Sequence, residues 1–144
     1  MITVNLYYHG KGGAARAFAE EMESSGIADK IRAEEGNLRY AYFFPMNDPE
    51  TVLLIDSWTD QTAIDAHHVS PMMQEIATLR EKYDLHMDVE RFVSDTYEQD
   101  EQFIRKYPGW ASPPPRPWSR WTSYRTWPWD SSPSPSAVSS VSPN

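Results

Sequence analysis

Alternation of apolar and polar positions predicts four strands. Residues 2–8 place an apolar or aromatic side chain at every second position, which is typical of a strand with one buried face. Residues 38–44 are dense in aromatic side chains and residues 51–58 in aliphatic ones, and the turn sequence PMNDPE between them predicts an antiparallel pair. Apolar residues spaced along 87–93 indicate a last strand.

Apolar residues at helical spacing predict the helices between these strands. The first begins at Ala14 and ends near Gly26, and a second short piece ends at Gly36. Asp60 is the predicted N-cap of a helix that reaches about residue 68. A Ser–Pro pair ending at Pro71 then starts another helix.

The order of these elements predicts the fold class. Strand, helix, strand, strand, helix, strand is the pattern of an α+β ferredoxin-like split βαβ sandwich. Its helices cover one face of the sheet, and the other face needs a cover because the strands are apolar at most positions. A second copy of the sheet is the simplest cover, so we predict a homodimer of facing sheets.

Composition divides the chain of 144 residues into three parts. Residues 108–144 hold nine of the twelve prolines and five of the six tryptophans, with almost no aliphatic side chain, so we predict a disordered tail. Its interleaved Trp and Arg could stack on single-stranded bases or lie at a membrane interface, and its PPPRP sequence could bind an aromatic-lined groove. We favour a tail with no selected function, such as out-of-frame translation. Residues 1–95 form the predicted domain and residues 96–107 a polar extension.

Charge and cysteine content exclude several classes of function. Residues 1–107 carry ten Lys and Arg against twenty Asp and Glu, which argues against nucleic acid and anionic membranes as partners. The absence of cysteine excludes disulfides, a thiol nucleophile and cysteine-bound metals. The sequence has no apolar run of membrane-spanning length, and its first residues do not resemble a signal peptide. We therefore predict a cytoplasmic protein.

Two motifs have a simple structural interpretation beside a functional one. The sequence GKGGAA at residues 10–15 fits the glycine pattern of a dinucleotide site, but a hairpin follows the next strand, so we interpret it as a strand-to-helix turn. His67 and His68 are adjacent and point ~100° apart on a helix, which argues against a metal site. One of them could act as a base, and the alternative is a histidine at the helix edge.

Three further positions are candidates for a ligand pocket or for packing. Asn5 is a polar residue in an otherwise apolar strand, and its amide either satisfies backbone groups or binds a ligand oxygen. Trp58 ends a strand, where packing is the simpler role. Tyr40 and Tyr42 share one strand face, where core or dimer packing is the simpler role.

Three segments resemble the antibiotic biosynthesis monooxygenase (ABM) domain, a family that includes quinol monooxygenases. They are EGNLRY at residues 35–40, LLIDSW at residues 53–58 and AIDAHHVSPMM at residues 63–73. The resemblance covers roughly residues 1–95. It implies a dimeric α/β barrel of ferredoxin-like protomers with a pocket between each sheet and its helices.

The resemblance also implies a chemistry. Several members oxygenate phenols or quinols with O2 and without metal or flavin, so we expect no cofactor, and a small aromatic substrate and O2 as partners. By matching position, Asn5 orients a substrate oxygen, Trp58 walls the pocket and His67 is the base, which makes these three the predicted catalytic residues. Tyr40, Tyr42 and His68 are the predicted substrate-binding residues.

Two other classes of function stay open. The protein could be an isomerase or another enzyme of a small, phosphorylated signalling metabolite, or a dimer that binds a ligand without turnover. A phosphorylated substrate needs cationic groups at the pocket, for which Lys11, Arg39 and Arg80 are the candidates. Consumption of O2 during turnover distinguishes the monooxygenase from both.

Overall fold

Four antiparallel strands form one sheet. A computed structural model describes residues 1–105. The strands are β1 (Ile2–His9), β2 (Asn37–Phe43), β3 (Thr51–Trp58) and β4 (His86–Val93). Their spatial order is β2-β3-β1-β4, with β1 paired to both β3 and β4. This is the strand order of the predicted ferredoxin-like α+β sandwich.

Four helices connect the strands. They are α1 (Ala14–Ser24), α2 (Ile27–Arg32), α3 (Gln61–His68) and α4 (Pro71–Lys82). Single 3-10 segments precede α1 (Lys11–Gly13) and follow the last strand (Glu98–Phe103). In this part of the chain no helix has both the length and the apolar character that crossing a membrane requires.

The predicted helix boundaries have identifiable causes. The side chain of Asp60 accepts a hydrogen bond from the Ala63 amide at 3.0 Å and so caps α3. Pro71 occupies the first turn of α4, where its missing amide hydrogen costs nothing. Strand β2 begins one residue earlier than predicted, because Asn37 already pairs with Trp58 and the register shifts immediately after it.

The glycine-rich segment at residues 10–15 forms a turn between β1 and α1. Gly12 and Gly13 adopt positive φ angles of 64° and 81°. The Gly12 amide donates to the Glu50 side chain at 3.0 Å, so a carboxylate of the protein itself occupies the place where a phosphate would bind. This geometry agrees with the interpretation as a strand-to-helix turn.

Helices pack against one face of the sheet and not against the other. Even-numbered residues of β1 and β3 face the helices and join a core with α1, α2 and α4. Odd-numbered residues of the same strands, among them Asn5, Leu53 and Ile55, face the other way, where no helix of residues 1–105 packs. The predicted homodimer would cover this outer face, and that assembly stays a prediction.

The predicted division of the chain also stays a prediction. Residues 98–103 form an exposed 3-10 segment within the polar extension. The predicted disordered tail at residues 108–144 lies outside the described residues.

Candidate active site

A cavity of about 300 Å3 lies between the sheet and helices α3 and α4. Its floor is made by helix-facing residues of all four strands, including Tyr40, Leu54, Val4 and Val89. Strand β4 forms its open side, because Val89 is half exposed at 52%. This is the position that the family resemblance implied for the pocket.

A second, larger groove of about 660 Å3 runs between α1 and the sheet edge at β2. Its one basic lining residue, Arg32, is already held by Glu23 and by Asp29, the latter at 2.9 Å. Because these internal ion pairs already occupy its guanidinium group, Arg32 has few hydrogen bonds left to donate to a ligand. We therefore place the candidate site in the smaller cavity.

His67 lies in the wall of the cavity and is almost completely buried, with 5% of its surface exposed. Its Nδ1 atom lies 2.6 Å from Oε2 of Glu34, which is in the turn after α2. A carboxylate can only accept, so Nδ1 carries the proton and donates to it. The ring packs against Trp58 with centroids 4.9 Å apart. Glu34 and Trp58 thus fix the ring and leave Nε2 as the nitrogen that can exchange a proton with a ligand.

Asp56 is a second titratable group in the cavity wall, and sequence reasoning missed it. Burial raises the pKa of its carboxyl to about 7, although hydrogen bonds from Trp58 and Asn37 oppose the change. The Asn37 amide donates to Oδ1 at 3.3 Å. A carboxyl group with a pKa near neutrality can accept or donate a proton under physiological conditions.

Three buried tyrosines lie on the helix face of the sheet, and they stay protonated at neutral pH. Burial raises the pKa of Tyr8 to about 12 and the pKa values of Tyr40 and Tyr42 well above their usual range. The hydroxyl groups of Tyr40 and Tyr42 lie 3.3 Å apart, as expected for two residues on one strand face. Tyr40 lines the cavity, whereas Tyr42 lines the groove beside β2 and reaches the cavity only through Tyr40.

Basic side chains are part of the lining of the cavity. His68 is one of them and is exposed, in contrast to buried His67. Arg80 from α4 and Arg91 from β4 also line the cavity. Of the three cations considered for a phosphorylated substrate, Lys11, Arg39 and Arg80, only Arg80 lines it.

Asn5 does not lie in this cavity. It stands on β1 opposite Ile55 and Glu90, and all three belong to the outer face of the sheet. Trp58 and His67 are on the helix face, so the sheet itself separates Asn5 from them. The role that the resemblance implied for Asn5 therefore cannot be carried out in this cavity.

Sequence reasoning missed two residues of the site, Asp56 and Glu34, and only Asp56 had a signal in the sequence. Asp56 interrupts the apolar run LLIDSW, two residues before Trp58 and hence on the same strand face, and this signal could have been found. Glu34 had none, because the fold alone brings the end of α2 beside α3. Residues 1–105 contain no cluster of three His, Cys, Asp or Glu side chains that could hold a metal ion.

Comparison with known proteins gives relatives of both sequence and fold. The sequence profile described as antibiotic biosynthesis monooxygenase matches residues 1–79. YcnE of Bacillus subtilis, named as a candidate monooxygenase, is 28% identical over 74 residues, which span 51% of this chain and 76% of YcnE.

Solved structures share the fold at low identity. A candidate antibiotic biosynthesis monooxygenase from Deinococcus radiodurans aligns with a TM-score of 0.59 at 15% identity, over 67% of this chain and 95% of that one. SnoaB, a cofactor-independent oxygenase from Streptomyces nogalater, aligns with a TM-score of 0.57 at 16% identity, also over 67% and 95%. The profile match spans more than half of the chain, and the chain therefore belongs to the antibiotic biosynthesis monooxygenase family.

Proposed function

We propose that this protein is a cofactor-independent monooxygenase that oxidises a quinol-like or phenolic small molecule with O2. The observation that carries the proposal is the buried pair of His67 and Glu34, at 2.6 Å, in the wall of a cavity lined by apolar and aromatic side chains. Such a cavity accepts an aromatic ring, and the pair supplies a base.

The first step is removal of a proton from a phenolic hydroxyl of the substrate. Nε2 of His67 takes the proton, and the carboxylate of Glu34 stabilises the imidazolium that forms. Trp58 walls the cavity and holds the imidazole in place by ring packing. The hydroxyl of Tyr40, hydrogen-bonded to Tyr42, donates to the substrate oxygen, and His68 contacts the substrate at the rim.

The second step is oxygenation of the resulting anion. The electron-rich anion gives one electron to O2, and the semiquinone and superoxide combine to form a carbon–oxygen bond. Loss of water from this peroxide leaves a hydroxylated quinone. Quinol and O2 thus give hydroxyquinone and one water, and the four electrons that reduce O2 come from the substrate, so no other reductant is needed.

Oxygen uptake by the full chain tests the proposal. The protein is stripped of metal and flavin and assayed with a panel of quinols and polyphenols, with buffer alone to correct for autoxidation. We expect uptake by the wild type and a loss of about 10²-fold or more in His67→Ala, as for removal of a general base. His86→Ala is the matched control, because His86 is exposed on the outer face of β4.

Two outcomes contradict parts of the proposal. Equal O2 uptake by the wild type and His67→Ala would show that His67 is not the base, although the protein would still be a monooxygenase. In that case Asp56→Asn identifies whether the second titratable group is the base. No uptake with any substrate overturns the proposal in favour of an isomerase or a ligand-binding dimer.

A further inference from the structure

Asp56 lines the cavity as a carboxyl group that takes no part in removing the first proton. It is buried, with 8% of its surface exposed. Its hydrogen-bond donors are uncharged, namely the side-chain amide of Asn37, at 3.3 Å, and the indole of Trp58. Within residues 1–105 no ion pair includes it. Because burial penalises the ionised form and no cation compensates, the carboxyl keeps its proton up to a pKa of about 7.

The indole of Trp58 connects Asp56 to His67. Asp56 and Trp58 are two residues apart on β3 and therefore share the helix face of the sheet. The indole hydrogen-bonds to the carboxyl of Asp56, and its rings pack against the imidazole of His67 with centroids 4.9 Å apart. The base of the proposed mechanism and a protonated carboxyl group therefore lie in the same wall of the cavity, on either side of one indole.

The tyrosines and arginines around Asp56 are poor acids near neutral pH. Burial raises the pKa of Tyr8 to about 12 and that of Tyr40 well above its usual range, and a guanidinium group does not lose its proton in proteins. The negative charge of Glu34 raises the pKa of Asp56 further. The titratable and charged groups that surround Asp56, taken element by element, are Tyr8 of β1, Tyr40 of β2, Glu34 of the turn after α2, His67 and His68 of α3, Arg80 of α4 and Arg91 of β4.

The oxygenation step needs an acid and a base together. Oxygen adds to the ring carbon next to the ionised hydroxyl, and His67 returns the first proton to the peroxide. The O–O bond then breaks as the hydrogen on that carbon is removed, which leaves a carbonyl on the ring and a departing hydroxide. Protonation of this hydroxide gives water. Because His67 takes the proton from the ring carbon, a second group has to give the proton to the departing oxygen.

We propose that Asp56 is the general acid that gives its proton to the departing oxygen of the ring-bound peroxide. The proton that His67 removes from the ring carbon then passes to Asp56, so each turnover leaves both groups as they began. Without the acid, the C–O bond breaks in place of the O–O bond, and the products are quinone and H2O2. This inference rests on the proposed function and adds a catalytic residue to it.

The fate of the oxygen atoms tests this role. Naphthohydroquinone is the probe, because hydroxylation of its ring and simple oxidation give different products. Hydroxylation yields hydroxynaphthoquinone and water, whereas simple oxidation yields naphthoquinone and H2O2. The full chain is assayed for O2 uptake, for both quinones and for H2O2, and the values for buffer alone are subtracted.

Replacement of the acid by its neutral amide separates O2 uptake from hydroxylation. In Asp56→Asn we expect O2 uptake to continue, because His67 still removes the first proton, and continued uptake shows that the variant is folded. We expect the ratio of H2O2 to hydroxynaphthoquinone to rise about 10²-fold or more, since a general acid contributes this much to the step that it assists. Asp95→Asn is the matched control, because Asp95 is exposed and does not line the cavity, and its ratio should equal that of the wild type.

The same ratio should depend on pH in the wild type and not in the variant. Asp56 is protonated below its pKa of about 7 and ionised above it. We therefore expect the wild-type ratio to rise between about pH 6 and about pH 8, and the ratio of Asp56→Asn to be high at both. A residue that only supports the fold would not cause this difference.

Three outcomes overturn the inference. They are an equal ratio in the wild type and Asp56→Asn, a wild-type ratio that does not change with pH, and a loss of O2 uptake in Asp56→Asn, which would place Asp56 in the first step. The failures of the two proposals are distinguishable. Absence of O2 uptake by the wild type with any quinol removes the monooxygenase, whereas uptake with an equal ratio removes only the role of Asp56.

Discussion

At the scale of single residues, the site brings together two titratable groups in different surroundings. His67 has a carboxylate partner in Glu34, to which its Nδ1 atom donates a hydrogen bond at 2.6 Å. Asp56 has only amide and indole donors, and these do not compensate for its burial. Environments that differ in this way are typical of sites in which one group gives a proton and another takes it.

Asp56 makes stability depend on pH. The pKa of its carboxyl is about 7 in the folded protein, against 3.8 for an aspartate exposed to water as in the unfolded chain. Stability is therefore highest below about pH 4 with respect to this group and falls as pH rises to about 7, because the unfolded chain loses the proton first. The difference between these two pKa values corresponds to about 4 kcal/mol in the free energy of unfolding.

Asp56→Asn removes this dependence, because the asparagine mimics the protonated acid. We expect the free energy of unfolding of the variant, relative to wild type, to rise by up to about 4 kcal/mol between about pH 4 and pH 8. Urea denaturation at both pH values measures it, and the other titrating groups cancel in the difference. A difference that does not change with pH contradicts the raised pKa.

In the proposed mechanism Glu34 acts through His67, so its loss should affect turnover more than binding. In Glu34→Gln we expect kcat for O2 uptake to fall about 10–100-fold with KM little changed, as for loss of a group that orients a functional histidine. Glu35→Gln is the matched control, because Glu35 is exposed next to it. Equal kcat values in the two variants would remove Glu34 from the mechanism.

At the scale of elements, the turn between α2 and β2 connects the two halves of the site. Glu34 precedes Gly36 and contacts His67, whereas Asn37 follows it and contacts Asp56. The carbonyl of Gly36 accepts a hydrogen bond from the Thr59 amide at 2.9 Å, which ties the turn to the start of α3. One tight turn thus positions the partners of both titratable groups.

Gly36→Ala should destabilise the protein for two reasons. Its φ angle is +85°, and an added Cβ would lie 2.5 Å from the Cβ of Ala63. We expect a loss of about 2–5 kcal/mol from strain and overpacking together. Gly26→Ala is the control, because Gly26 has the same backbone conformation with no neighbour within 4 Å, and it should lose only about 1–2 kcal/mol. Chemical denaturation compares them, and equal losses would show that packing at Gly36 contributes nothing.

At the scale of the whole molecule, the outer face of the sheet carries a mixture of apolar and hydrogen-bonded polar groups. Leu53 and Ile55 lie at its centre, while Thr3 and Ser57 bond to each other at 2.8 Å. Apolar residues surrounded by polar groups that already have hydrogen-bond partners are typical of a surface that binds a second copy of itself. We therefore keep the predicted homodimer of facing sheets.

A charge at the centre of this face should dissociate the dimer. We expect the wild type to sediment as a dimer and Ile55→Glu as a monomer, because facing sheets would bury two unpaired carboxylates. Val69→Glu is the control, because Val69 is 85% exposed at the end of α3. A monomeric wild type at micromolar concentration, or a dimeric Ile55→Glu variant, contradicts the predicted assembly.

The secondary structure was predictable because its signals are local. The alternation in β1, the Asp60 cap and Pro71 each act within a few residues, and the structure has the corresponding elements. The position of Trp58 at the end of β3 and the shared face of Tyr40 and Tyr42 follow from the same periodicity.

Only the tertiary structure showed which residues lie together in the site. Alternation places Asn5 and Val4 on opposite faces of β1, but only the packing of α3 and α4 decides which face holds the cavity. The sequence by itself determined the order of the elements and the resemblance to the family, because the first depends on local periodicity and the second on three short segments of the sequence. The pairing of Glu34 with His67 and the raised pKa of Asp56 arise between elements distant along the chain, because burial and charge contacts exist only after the chain has folded.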